Sequence, residues 1–459
     1  MSTPLSVTVV GTGYVGLVSA ACLAETGQQV IGLDVNSAKI ACLRRGQIPI
    51  HEPGLEDLVK RNLGRRLRFT DCYEEAIPGA DIVVIAVGTP SDADGGADLK
   101  YVRQVVNSLA KCIGEATVVA VKSTVPVGTC DEIEALLRRK ARARLGLLGS
   151  KKIHIVSNPE FLREGRAISD FMKADRVVIG GDDPDSLATV AEMYEPLGAP
   201  VVVCDRRSSE LVKYASNAFL ATKISFINSI ARLCDLVHAD VARVSEGMGR
   251  DRRIMPEHLR AGLGYGGSCF PKDTAALLRL CTEVGFRFGI LEETVNVNTT
   301  QVEWLVGKID SAVGGLEGKT IAVWGLAFKP HTDDTRDAPA ERIVAELVAR
   351  GAAVQSYDPI AALPLPYPRY RQLGTKEEAI SGAHALVVAT EWPEFIGADF
   401  ERARTLMASP VCIDGRNCLS PERLGRAGFR YEGIGRSGGE ETVLADVAAT
   451  GGPVSPDRL

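Results

Sequence analysis

The sequence predicts an α/β protein with two doubly wound, mostly parallel sheets joined by a long central helix. Three observations carry that prediction. Short apolar runs alternate with helical stretches through the first half, the pattern of repeated strand-helix-strand units. The same alternation returns after Gly318. Between the two, from Ser208 to about Val244, the spacing is helical only, with Leu211, Tyr214, Ala218, Thr222 and Phe226 on one stripe.

The elements follow in order. Residues 5–10 read as a buried strand; Gly-Thr-Gly-Tyr-Val-Gly, a helix through Glu25 and a second strand at 29–34 complete a βαβ unit. Further strands are expected at 81–87, 118–122, 153–157, 177–180 and 201–204, then at 320–324, 353–357, 385–389 and 410–413. The halves echo each other. Gly79-Ala-Asp-Ile-Val-Val-Ile-Ala-Val-Gly-Thr-Pro90 resembles Gly382-Ala-His-Ala-Leu-Val-Val-Ala-Thr-Glu-Trp-Pro393, and Asp34 and Asp358 each close a second strand. The economical division is a Rossmann-like domain at 1–206, a helical region at 207–315, a second Rossmann-like domain at 316–436 and a loose tail at 437–459.

Composition narrows the function. A chain of 459 residues, 45% hydrophobic and 24% charged, holds two or three globular domains, which excludes disorder and fibre. With 53 basic against 58 acidic residues, nothing advertises nucleic-acid or membrane binding. The first charged residue is Glu25, but the opening has no basic region and is broken by Gly11, Gly13 and Gly16, so neither a signal peptide nor a membrane helix is expected. Eleven scattered cysteines with no Cys-x-x-Cys pair indicate neither a disulfide framework nor a metal site, and a reducing cytoplasm is the expected home.

Gly11-x-Gly13-x-x-Gly16 lies between a strand and a helix, the context its chemistry requires. Glycines permit a tight turn and close backbone approach to a pyrophosphate on the helix start, while Asp34 accepts from ribose hydroxyls. A carboxylate there repels a 2′-phosphate and favours NAD over NADP; Lys39 nearby weighs the other way. Gly88-Thr89-Pro90 and Ser123-Thr124-Val-Pro-Val-Gly-Thr129 follow strands at the ligand-binding edge, where their hydroxyls fit either a nicotinamide site or ordinary turns. Ser157-Asn-Pro-Glu160-Phe-Leu-Arg-Glu-Gly165 follows another strand; Glu160 is either a site carboxylate or a solvated one. Lys213 and Asn217, four apart, share a helix face, although Lys213 taken singly reads as a surface lysine. Gly262-Leu-Gly-Tyr-Gly-Gly-Ser-Cys269-Phe-Pro-Lys-Asp273 places a thiol at a helix start, where backbone N–H groups and the dipole favour thiolate.

Together these segments resemble the nucleotide-sugar 6-dehydrogenases, the UDP-glucose/GDP-mannose dehydrogenase family, over nearly the whole chain. Gly-x-Gly-Tyr-Val-Gly-Leu17, the Ser-Thr-Val-Pro-Val-Gly-Thr run, Asn158–Gly165, Gly266–Asp273, Phe328-Lys329 with Asp333–Arg336, and Asp414-Gly-Arg416 carry the likeness. The resemblance implies NAD-dependent four-electron oxidation of UDP-glucose to UDP-glucuronate, with GDP-mannose or another UDP-hexose as the alternative substrate. It implies an NAD-binding first domain, a sugar-nucleotide-binding last domain and a homodimer on the long helix.

It also implies roles. Cys269 is the nucleophile of a thiohemiacetal and thioester, Lys213 and Asn217 stabilise oxyanions, Asp273 assists deprotonation, and Glu160 and Thr124 handle water. Gly11, Gly13, Tyr14, Val15, Gly16, Asp34, Lys39, Thr89, Thr124, Glu164, Lys272 and Arg336 match cofactor positions. Glu160, Phe161, Leu162, Glu164, Lys213, Asn217, Arg260, Tyr265, Gly266, Phe328, Lys329 and Arg416 match substrate positions. Arg253 matches an arginine lent to a neighbouring subunit. The Lys329–Arg336 stretch and Asn417 depart from the family pattern near the expected nucleotide end.

Overall fold

The computed structural model describes residues 3–92, 94–114 and 117–436; the tail expected at 437–459 lies outside them. The first sheet contains β1 (Ser6–Val10), β2 (Gln29–Leu33), β3 (Leu67–Thr70), β4 (Ile82–Ile85), β5 (Val118–Val121), β6 (Ile155–Ser157), β7 (Val177–Gly180) and β8 (Val201–Cys204). Their order is β3-β2-β1-β4-β5-β6-β7-β8. Neighbours run parallel except β6 and β7, which meet antiparallel at Ser157 and Gly180. The second sheet contains β9 (Thr320–Trp324), β10 (Ala353–Tyr357), β11 (Tyr370–Gln372), β12 (Ala385–Val388), β13 (Val411–Asp414) and β14 (Arg430–Gly433), all parallel in the order β11-β10-β9-β12-β13-β14.

Burial on both faces explains the continuous apolar strands inside each sheet, whereas the edge strand β8 is apolar but exposed. In the first sheet Val9, Ile82, Val84 and Ala120 enter one core while Val10, Val83, Ile85 and Val121 enter the other. Alternate residues of the second sheet do the same, with Val323, Val387 and Ile413 on one side and Trp324, Val388 and Cys412 on the other.

Asp205 caps the long helix Arg206–Val237, accepting from the Ser208 N–H. Arg206 roots it in the first sheet, donating to Glu134 at 2.6 Å and to the Ile155 carbonyl at 3.0 Å. The helix stops earlier than the sequence spacing predicts: His238 takes a left-handed conformation (φ 57°) and Asp240 caps a separate helix, Val241–Gly249. Helices Phe270–Glu283 and Gly289–Val313 pack on the long one. The glycine-rich loop before Phe270 is thereby held against loops from the carboxyl edges of both sheets, which is where ligands bind in such folds.

Candidate active site

The turn after β1 is shaped by two close approaches. Gly11 has φ +97°, and a Cβ there would stand 2.7 Å from the Ala86 carbonyl; a Cβ on Gly16 would strike the Gly11 carbonyl. Gly13 faces open space, with Val15 and Gly16 in the first turn of helix Tyr14–Glu25 behind it. Asp34, just past β2, accepts from Thr12 N at 2.9 Å, Thr12 Oγ1 at 2.8 Å and Lys39 Nζ at 2.8 Å through Oδ2, and from Asn36 N at 3.0 Å through Oδ1. Burial pushes its carboxyl up, but Lys39 and the N–H groups of Asn36 and Thr12 outweigh this and hold it below the usual range. The result is a fixed anion with acceptor capacity left on Oδ1, and a Lys39 already neutralised by Asp34. An open helix start beside a fixed carboxylate fits the pyrophosphate and ribose of NAD.

Further along the same edge, Thr89 Oγ1 donates to the Thr124 carbonyl at 2.8 Å, joining the two turns that follow β4 and β5. The Tyr14 hydroxyl donates to Glu52 and accepts from the Gly165 N–H at 2.9 Å. Glu52 also accepts from Gly165 N at 2.7 Å and Ala167 N at 2.8 Å. This buried carboxylate therefore ties the nucleotide-binding turn to the Asn158–Gly165 loop. Sequence reasoning missed it, since nothing in His51-Glu-Pro-Gly54 signals a partner more than a hundred residues away.

Lys213 and Asn217 are both buried on one face of the long helix. Lys213 Nζ donates to Glu160 Oε1 at 2.9 Å, and the Leu162 N–H donates to Glu160 Oε2 at 2.5 Å. Burial pushes Glu160 up, but Lys213, the Leu162 N–H and Lys122 together hold it below the ordinary carboxylate range. Asn217 Nδ2 donates to Asp273 Oδ2 at 2.6 Å, and Lys272 Nζ donates to Asp273 Oδ1 at 2.5 Å. Cys269 occupies the position just before helix Phe270–Glu283, with Ser268 Oγ 3.6 Å from its sulfur.

One expectation is corrected here. The helix start does not leave Cys269 a thiolate: burial pushes its thiol up, and the Glu160 and Asp273 carboxylates add to that, against the opposing pull of Lys213. Burial, with the neighbouring carboxylates, outweighs the pull of Lys213, so the thiol hands its proton to a base when it reacts.

The second sheet closes the site. Glu164 accepts from Ser268 Oγ at 3.1 Å and lies 3.8 Å from Arg336 Nη2, while Arg336 also pairs with Asp334 at 2.7 Å. A Cβ on Gly266 would fall 2.2 Å from the Asp337 carbonyl, so only glycine lets the Cys269 loop meet this segment. Tyr265 is held at both backbone groups by Asn298. Phe161 lies under the Lys213 ammonium, 5.5 Å from ring centroid to Nζ, and Leu162 packs on the first core. Lys329 Nζ sits 4.9 Å over the Phe328 ring, and Arg416 braces that loop, donating to the Phe328 carbonyl at 2.6 Å. Arg253 and Arg260 stand apart from the buried cluster: Arg260 is exposed, and Arg253, 89% exposed, pairs with Asp251. Among the described residues, no group of three or more His, Cys, Asp or Glu is placed to hold a metal ion.

A dinucleotide turn on one sheet, facing a half-buried thiol, a buried lysine and paired carboxylates, defines an NAD-dependent oxidoreductase. The chain belongs to the UDP-glucose/GDP-mannose dehydrogenase family: its NAD binding domain matches residues 5–198, its central domain 207–300 and its UDP binding domain 322–421. The chain is 43% identical over 452 residues to UDP-glucose 6-dehydrogenase TuaD of Bacillus subtilis, covering 98% of this chain and 97% of that protein. It is 46% identical to a UDP-glucose 6-dehydrogenase of Rhizobium meliloti, covering 94% and 100%. A UDP-glucose dehydrogenase structure from Pyrobaculum islandicum superposes with a TM-score of 0.86 at 38% identity, covering 95% of this chain and 98% of that one.

Proposed function

We propose that the protein oxidises UDP-glucose to UDP-glucuronate, consuming two NAD and one water. The observation that carries this reading is the clustering of Cys269 with the Lys213–Glu160 and Asn217–Asp273 pairs. A two-electron alcohol dehydrogenase needs no such thiol. The names of the relatives support UDP-glucose as the substrate.

Asp273, held by Asn217 and Lys272, takes the proton of the 6-hydroxyl through a water. NAD, when bound, supplies the hydride acceptor for both oxidations. The Cys269 sulfur adds to the aldehyde carbon and its proton passes to a neighbouring carboxylate, giving a thiohemiacetal. Lys213 and Asn217 donate to the oxyanion. After the second oxidation Glu160 takes a proton from the water that attacks the thioester, Thr124 orients that water, and the Cys269 sulfur leaves.

Phe161, Leu162, Glu164, Tyr265 and Gly266 hold the sugar, and Phe328, Lys329 and Arg416 the nucleotide. The chain works in the cytoplasm as a homodimer formed on the long helix, where Phe219, Phe226 and Leu233 are exposed at seven-residue intervals, and Arg253 serves the partner's site. Mixing a Glu160→Gln variant with UDP-glucose and NAD tests the reading. The expected result is a burst of two NADH per site, slow turnover and an intact mass raised by a UDP-glucuronyl group on Cys269. Turnover at the parent rate with no adduct contradicts it.

A further inference from the structure

Lys122 directly follows β5 and is only 5% exposed, so its ammonium has left water and needs partners inside the protein. Its Nζ donates to the Tyr194 hydroxyl at 3.2 Å and lies 5.6 and 5.9 Å from the Tyr194 and Phe171 ring centroids. Tyr194 in turn donates to Asn158 Oδ1 at 2.6 Å, and Asn158 Nδ2 donates to the Val178 carbonyl at 2.9 Å. Each bond points the same way, from ammonium to phenol to amide to β7, so each polarises the next. Asn158 N is fixed as well, donating to the Val121 carbonyl at 2.8 Å. Two residues later, beyond the restricted φ of Pro159, stands Glu160.

Charge supplies a second argument. The groups facing Glu160 are Lys213 from the long helix, the Leu162 N–H of its own loop, Cys269 from the start of helix Phe270–Glu283, and Lys122 from the end of β5. Asp273 faces Lys213 and Cys269 from the next turn. If Lys213 donates to substrate oxygens, Glu160 loses part of its partner at the step that needs it as a base. Lys122, enclosed by aromatic rings, has no such second task.

We propose that Lys122 is a positioning residue for thioester hydrolysis: through Tyr194 and Asn158 it fixes the turn bearing Glu160, and its charge still acts on that carboxylate through the protein when Lys213 engages substrate. The proposal rests on the reading of Glu160 given above. The test compares Lys122→Met, Lys122→Arg and Tyr194→Phe with Glu160→Gln by stopped-flow NADH formation, intact mass and the pH dependence of kcat, with UDP-glucose and NAD. In Lys122→Met the first two hydride transfers should stay within about threefold of the parent while steady turnover falls at least about tenfold and the Cys269 adduct accumulates. The acid limb of kcat should move to higher pH, because Glu160 has lost a cation, and Lys122→Arg should return it part of the way. Tyr194→Phe should show a smaller version of the same partition. Equal slowing of every step without adduct, or an unmoved acid limb with parent turnover, overturns the proposal. If Lys122→Met does not fold, Tyr194→Phe decides: adduct supports the proposal, and parent partition overturns it. An adduct in Glu160→Gln but in neither network variant overturns this proposal alone; no adduct in Glu160→Gln overturns the reading beneath it as well.

Discussion

The Lys213 ammonium lies 2.9 Å from Glu160 Oε1, with side-chain exposures of 5% and 6%, so two opposite charges from distant segments meet almost wholly out of water. Removing one partner strands the other. Lys213→Met should therefore cost about 3–5 kcal/mol of unfolding free energy at neutral pH. The sign at each end of the pH range follows from the shifts. Glu160 is held below its ordinary value, so its contribution is full above about pH 4.3 and fades as pH falls through the depressed value; Lys213 is raised, mainly by Glu160 against its own burial, so its contribution is full below about pH 10.4 and fades as pH rises through the raised one. Urea unfolding of parent and variant across pH should show a difference that is flat in the middle and shrinks at both ends; a difference independent of pH would count against the pair.

The same charges govern Cys269. In the ligand-free enzyme its alkylation by iodoacetamide, followed by peptide mass, should rise with pH to a midpoint above the ordinary thiol range. Glu160→Gln should lower that midpoint and Lys213→Met should raise it. Maximal reactivity already at pH 7 would mean that a thiolate is present after all.

Cofactor choice should hinge on Asp34. Its carboxylate neutralises Lys39 at 2.8 Å and stands where a 2′-phosphate would have to lie. Asp34→Asn should raise the KM for NAD by roughly tenfold, about 1.4 kcal/mol, and bring in measurable NADP use as Lys39 is freed. Unchanged preference in the variant would place the ribose elsewhere.

Assembly gives another test. Phe226 is 49% exposed on the long helix, and Phe226→Asp should shift the protein towards monomer in sedimentation velocity. Arg253→Ala should raise the KM for UDP-glucose at least about tenfold with the Kd for NAD unchanged. An active Phe226→Asp monomer with parent KM would remove Arg253 from the neighbouring site.

Much of this architecture is legible along the chain, because a strand buried on both faces leaves an unbroken apolar run such as Ile82-Val-Val-Ile85. Strand β3 escapes notice because Leu67-Arg-Phe-Thr70 is four residues long and interrupts its apolar character with an exposed arginine; β11 and β14 are equally short or shorter and similarly exposed. The break at His238 is invisible because nothing in Val-His-Ala-Asp240 forbids another helical turn; the Asp240 cap decides it. In the site, loops rich in glycine and proline announce themselves, which brings Glu160, Cys269 and Asp273 into view. Glu52 and Lys122 stay hidden, since their partners, Gly165 and Tyr194, are brought to them only by the fold. The raised Cys269 thiol is hidden for the same reason: the dipole is local, but the burial and the Glu160 carboxylate that oppose it are brought by the fold, Glu160 from a loop after β6.

Four-electron oxidation of one sugar at one site fixes the number of NADH formed per sugar. With UDP-glucose limiting and NAD in excess, two NADH should form per UDP-glucose and none from GDP-mannose, with activity lost in Cys269→Ala. One NADH per UDP-glucose with free aldehyde as the end product, or two NADH from Cys269→Ala at the parent rate, would contradict it.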